Sequence, residues 1–210
     1  MKKMLVIQIT ALLVISGALG GMLFFTDVYD EIHSRIVSVL CLSCIKLEPK
    51  TKLSFTFETA NGASHSTFVL DNLTKGPVFL HYSEKACHGC DVMFPVVRDL
   101  FGVEFQKEDR FYKTVTFANS TVTHIYIYLD NTTKVKQESF DVYDKDHIGG
   151  LPMFSIVTLG YDRGVVRPYY TSLYGVLGLN TNEERTLLFT QLLQESIEMY
   201  QQNKEGYNPQ

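Results

Sequence analysis

"VFLHYSEKACHGCDVMFP", residues 78–95, sets Cys87 and Cys90 two residues apart between an apolar run and a second apolar stretch containing Pro95. The run from Gly76 to Tyr82 is short, apolar and bounded by turn residues, which predicts a buried central strand. After the cysteines, Val92, Phe94, Val96, Val97 and Leu100 recur at helical spacing as far as Gly102, where the helix should end. A strand therefore delivers the chain to a C-x-x-C at a helix start, and Pro95 should kink that helix.

Upstream, "KLSFTFETANGASHSTFVL" alternates Leu53, Phe55 and Phe57 with polar residues, turns at Asn61-Gly62 and resumes with Phe68 and Leu70, predicting an N-terminal β-hairpin. Downstream, residues 103–120 read as a short helix and an irregular segment. "THIYIYLD" then alternates Ile125, Ile127 and Leu129 against His124, Tyr126 and Tyr128 as a strand. Met153–Leu159 and Val165–Tyr169 form a hairpin about "YDRG". Thr181 and Glu184 make a capping box for a last helix bearing Leu187, Leu188, Leu192, Ile197 and Tyr200. The order strand, C-x-x-C, helix, strand, proline-led hairpin, helix predicts an α/β sandwich in which a parallel half and an antiparallel half share one mixed sheet.

The chain has 210 residues, enough for one domain with an appendage. Its net charge of -4 lacks the basic footprint of a nucleic-acid binder, so no nucleic-acid partner is expected. Met4 to Phe25 carries no charge, and as a helix of about 33 Å it would span a bilayer core of about 30 Å. Lys2 and Lys3 precede it while Asp27, Asp30 and Glu31 follow, so the N-terminus is expected in the cytoplasm and the rest outside. A cleaved signal peptide ending near Ala18 and Gly20 is the competing reading, against which the apolar run continues to Phe25. The resulting division is 1–25 cytoplasmic start and anchor, 26–51 a membrane-proximal stalk with "CLSC", 52–203 the domain, and 204–210 a loose tail.

Cys41, Cys44, Cys87 and Cys90 form two C-x-x-C pairs, and an even count outside the cytoplasm permits disulfides. Asn72, Asn119 and Asn131 begin N-x-S/T triplets compatible with glycosylation. At a helix N-terminus, unpaired N–H groups and the helix dipole stabilise a thiolate, and a cysteine one turn on can resolve a mixed disulfide. Cys87 is then the attacking sulfur and Cys90 the resolving one. His88, when protonated, either stabilises that thiolate or is simply a solvated loop residue.

"VFLHYSEKACHGCDVMFP" resembles the active-site segment of thioredoxin-fold proteins, and "GGLPMFSIV" resembles the segment that carries that family's cis-proline. The resemblance implies a cis Leu151-Pro152 bond, with the Leu151 backbone beside the sulfurs where an extended substrate pairs. The anchor, the upstream hairpin and the long interval between Cys90 and Pro152 resemble the membrane-anchored TlpA and cytochrome-c-maturation subgroup, with its mid-domain insertion. Two departures stand out: Ala86 where thioredoxins usually carry tryptophan, and His81 where many have a buried acid. His81 is either a substitute proton acceptor for the resolving thiol or a packed polar side chain.

Zinc is disfavoured because 42 residues separate Cys44 from Cys87, against roughly 15–20 in compact ribbons. Haem attachment needs a histidine directly after the second cysteine, where Ile45 and Asp91 stand. A thioredoxin-fold Cu(I) chaperone and a non-catalytic module with structural disulfides remain as alternatives. Cys41 and Cys44 form a local bridge stabilising the stalk end, a second redox couple exchanging electrons with Cys87 and Cys90, or a couple serving a membrane partner. The leading expectation is a membrane-anchored extracytoplasmic thiol–disulfide oxidoreductase whose only cofactor is its own disulfide. Its expected partners are protein thiol or disulfide clients and a membrane electron donor or acceptor.

Overall fold

In the computed structural model, which describes residues 55–208, the apolar run before the cysteines is the middle strand of a five-stranded mixed sheet. The elements run α1 (Thr67–Leu73), β1 (Val78–Ser83), α2 (His88–Phe101), β2 (Tyr112–Phe117), β3 (Ser120–Tyr128), α3 (Lys134–Tyr143), β4 (Met153–Asp162), β5 (Val165–Tyr174) and α4 (Asn182–Asn203). Strand order is β2-β3-β1-β4-β5, with β1 and β3 parallel and every other neighbouring pair antiparallel. The β1-α2-β3 half and the β4-β5-α4 half thus share one sheet, an architecture compatible with a thioredoxin-like fold.

Both faces of that sheet are covered, and β1 is buried along its whole length for that reason. Phe79 packs with Met93, Val96 and Val97 of α2 and Phe189, Leu192 and Leu193 of α4. On the opposite face Val78, Leu80 and Tyr82 pack with Val69 and Leu73 of α1 and Tyr143 of α3. Local signals end the elements as the sequence predicts. Gly102 closes α2 in the left-handed region at φ 57°, where a side chain would be strained. Thr181 Oγ1 accepts from the Glu184 N–H at 3.2 Å and Glu184 Oε2 accepts from the Thr181 N–H at 3.1 Å, completing the capping box. Arg163 and Gly164, both at positive φ, make the two-residue turn between β4 and β5.

Several expectations are corrected. The N-terminal hairpin is not formed among the described residues: Thr56 makes an isolated antiparallel bridge to Tyr170, and Phe68 and Leu70 lie in α1. The alternation of Phe68 and Leu70 misleads because the buried positions are Val69, Asn72 and Leu73, spaced at i, i+3 and i+4 as on a helix face. Residues 112–117, expected to be irregular, are the edge strand β2, joined to β3 through Ala118 and Asn119 at φ 47° and 61°. β3 is also not half-exposed, because both its faces pack into core: Tyr126 and Tyr128 into one side of the sheet, Ile125 and Ile127 into the other, with His124 buried as well. On α4, Leu187 is exposed whereas Leu192, Ile197 and Tyr200 are buried. In the tail, Lys204–Gly206 forms a 3-10 turn.

No helix among the described residues is long and apolar enough to cross a membrane. Met4–Phe25, the stalk, Cys41 and Cys44 lie outside the described residues.

Candidate active site

The last residue of β1, Ser83, opens a three-residue link to Cys87, the N-cap of α2. Cys87 and Cys90 are joined as a disulfide. The Cys90 N–H donates to Cys87 Sγ at 3.0 Å, so the first sulfur takes the place that a serine or aspartate oxygen holds in an ordinary N-cap. That position faces the free N–H groups and positive end of a 14-residue helix, where a thiolate is stabilised. Both cysteines are buried, and Cys87 keeps slightly more of its surface, 7% against 1% for Cys90. Pro95 lies inside α2, where it cannot donate to the Asp91 carbonyl one turn back. His88, the first residue of α2, is solvent-exposed.

The Leu151-Pro152 peptide bond is cis, at the start of β4. It lies directly against the cysteine loop. A Cβ built on Gly89 would sit 3.1 Å from Pro152 Cδ, 3.5 Å from the Leu151 carbonyl oxygen and 3.9 Å from Val176 Cγ1. A side chain at the middle of "CHGC" would crowd the proline loop, which would have to give by a few tenths of an ångström to admit it. The loop itself is tied down from behind by Asp144. Its buried carboxylate accepts from the Ile148 N–H at 3.0 Å, the Gly149 N–H at 2.8 Å and the Tyr174 hydroxyl at 2.8 Å. Burial, reinforced by Asp144, holds the Tyr174 phenol well above its ordinary pKa, so it stays a hydroxyl donor.

His81 projects from β1 onto the α2 face, packed against Tyr126 and Phe154 with ring centroids 4.8 Å away in each case. It is fully buried, and neither ring nitrogen has a hydrogen-bond partner among the described residues. Burial first, and the neighbouring His124 second, hold its pKa well below the usual histidine value. His124 of β3 is stacked at 6.1 Å from His81, equally buried and equally unpaired, in a box of Phe79, Phe101, Phe105 and Phe111. Burial pushes it down to about 3.

Two further groups fix the link before Cys87. The Lys85 N–H donates to Asp130 Oδ2 at 2.8 Å, and the Lys85 carbonyl accepts from Lys107 Nζ at 3.2 Å. Lys107 also donates to Asp91 Oδ1 at 2.5 Å. None of Lys107, Asp91, Asp130, Asp144, Tyr174 or His124 stands out in the sequence as a site residue. Their partners lie far away along the chain, and only the uncharged run Thr121 to Leu129 hints that His124 is buried.

The structure thus brings Cys87, Cys90, Gly89, Leu151 and Pro152 together. Among the described residues no group of three or more His, Cys, Asp and Glu is placed to hold a metal ion. Of the three glycosylation triplets, Asn72 is buried and bonded to the Phe68 carbonyl at 2.7 Å, whereas Asn119 and Asn131 are exposed. A disulfide-bonded cysteine pair at the N-terminus of a helix in a mixed α/β fold is consistent with redox use. No protein-family model matches the chain, and no curated protein is significantly similar to it.

Proposed function

We propose that the chain is a membrane-anchored, extracytoplasmic thiol–disulfide oxidoreductase of the TlpA and cytochrome-c-maturation type. One observation carries this reading: the Cys87–Cys90 disulfide caps α2 and lies against the Leu151-Pro152 loop, so an attacking sulfur and an extended-backbone docking segment adjoin. The location is supported by the uncharged Met4–Phe25 segment and its flanking charges.

In the reducing direction, the Cys87 thiolate attacks one sulfur of a client disulfide and displaces the other as a thiolate. Cys90 then gives up its proton to the client thiolate released in the first step, and its own thiolate attacks Cys87 Sγ. The second client sulfur leaves as a thiolate, which takes up a proton. The client gains two electrons and two protons, one from Cys90 and one from the solvent that took the Cys87 proton, and Cys87–Cys90 is left oxidised. The reverse sequence oxidises a client dithiol. Leu151 and Pro152 align the client as an added extended segment, and Cys41–Cys44 is the proposed second couple that re-poises the first.

The test is disulfide exchange by the full-length chain with a model disulfide and with a model dithiol. The expected result is turnover in one direction, lost in Cys87→Ser. Cys90→Ser should instead accumulate a mixed disulfide between Cys87 and client, visible on a non-reducing gel. A Cys87–Cys90 bridge that resists mild reductant, with no trapped client, would reduce the pair to a structural disulfide.

A further inference from the structure

The segment between α2 and β2 reaches the cysteine motif through one side chain. Lys107 comes from a stretch whose backbone is pinned to β3, since its carbonyl accepts from the Tyr126 hydroxyl at 2.6 Å. Its ammonium spans the motif. It donates to the Lys85 carbonyl, two residues before Cys87, and to Asp91 Oδ1, one residue after Cys90. The lysine side chain is mostly buried at 26% exposure, whereas its partner Asp91 is open at 58%. A lysine whose stem is covered and whose donors flank both sides of one dithiol is held in place, unlike an ordinary surface lysine, which gains little from any single ion pair.

We infer that Lys107 and Asp91 are a charge pair that positions the link before Cys87 and sets how strongly the Cys87–Cys90 couple oxidises. This rests on the proposed exchange activity. The thiolate charge exists only in the reduced couple, so a nearby cation stabilises the dithiol form and a nearby anion destabilises it. Both charges lie within a residue or two of the sulfurs along the chain or by hydrogen bond. At 0.1 M salt, charges still interact over roughly 10 Å, so placement this near the motif lets both act on the couple. In the native protein the two oppose each other, and the couple stands between the potentials either would give alone.

The geometry yields opposite signs for two variants that break the same bond. In glutathione buffers, where the disulfide and two glutathione thiols equilibrate with the dithiol and one glutathione disulfide, the redox state of the 87–90 peptide is read by differential alkylation and mass spectrometry. The full-length chain serves, because the peptide is distinct from the one containing Cys41 and Cys44. Lys107→Met should move the equilibrium constant three- to tenfold toward the disulfide, and Asp91→Asn by a similar factor toward the dithiol. A tenfold change corresponds to about 30 mV. Lys107→Arg should restore the native constant, and 1 M salt should shrink the gap between the two charge variants. Shifts in the same direction, or both below twofold, would overturn the charge pair and leave only a structural tie. If the native 87–90 peptide never leaves the disulfide form across the glutathione range, the exchange activity falls and this inference with it. If the native peptide equilibrates and the variants fail to diverge, only this inference falls.

Discussion

On the α1/α3 face of the sheet, buried phenols have partners: Tyr82 Oη lies 2.9 Å from Ser139 Oγ, Tyr143 Oη 3.2 Å from His65 Nδ1, and Tyr200 donates to the Thr74 carbonyl at 2.9 Å. On the α2/α4 face, His81 and His124 are buried with no hydrogen-bond partner for any of four ring nitrogens among the described residues. Leaving a buried polar group unpaired costs about 1–3 kcal/mol; the first face leaves the Thr123 hydroxyl so, whereas the second leaves two whole imidazoles and carries the larger penalty. The penalised face is the one on which α2 and the cysteine motif sit. The difference separates a face whose buried phenols are hydrogen-bonded from one that carries two unpaired, neutral imidazoles.

The largest effect that could break this comparison is acid sensitivity. Burial holds His124 near 3 in the folded protein, whereas the unfolded chain takes up a proton as pH falls through about 6.5. The contribution is therefore fully present above about pH 6.5 and is lost as pH falls toward 3. For His124 alone this amounts to on the order of 3 kcal/mol between pH 7 and pH 4. Urea midpoints should fall over that range in the native chain and fall measurably less in His124→Leu. Equal slopes would mean that the imidazole is not held neutral.

Tyr82→Phe tests the satisfied face. It removes one bond to Ser139, whose hydroxyl keeps its bond to the Lys136 carbonyl at 2.7 Å, so chemical denaturation should show a loss of about 1 kcal/mol. The smallest effect is expected from His124→Leu at pH 7, where an unpaired imidazole gives way to an apolar side chain of similar size. Stability should stay level or rise by up to about 1 kcal/mol, since removing a buried unsatisfied group offsets the lost stacking on Phe101. A larger loss than that of Tyr82→Phe would erase the distinction between the faces.

Much of the site was legible in the sequence because its signals are local. C-x-x-C at a strand-to-helix junction, Pro95 five residues after Cys90, Leu151-Pro152 and the Thr181/Glu184 box each declare themselves within a few positions. The misread elements lack that locality. Phe68 and Leu70 alternate like strand residues, yet Val69 and Leu73 pack under the sheet and decide for a helix. β2 is a mostly exposed edge strand, so it has little hydrophobic pattern to betray it.

The sheet's middle strand, the cysteine pair at the helix start, the capped last helix and the uncharged N-terminal segment can all be read from the chain, because each follows from neighbouring residues and backbone preference. Only the tertiary structure decided that Gly89 abuts Pro152, that Asp144 and Tyr174 brace that loop, that His81 and His124 stack unpaired in one core, and that Lys107 reaches both flanks of the cysteines. Those are meetings between strands and loops separated by 16 to 63 positions. No local pattern encodes them, since they arise only when the order β2-β3-β1-β4-β5 folds distant segments onto the same face.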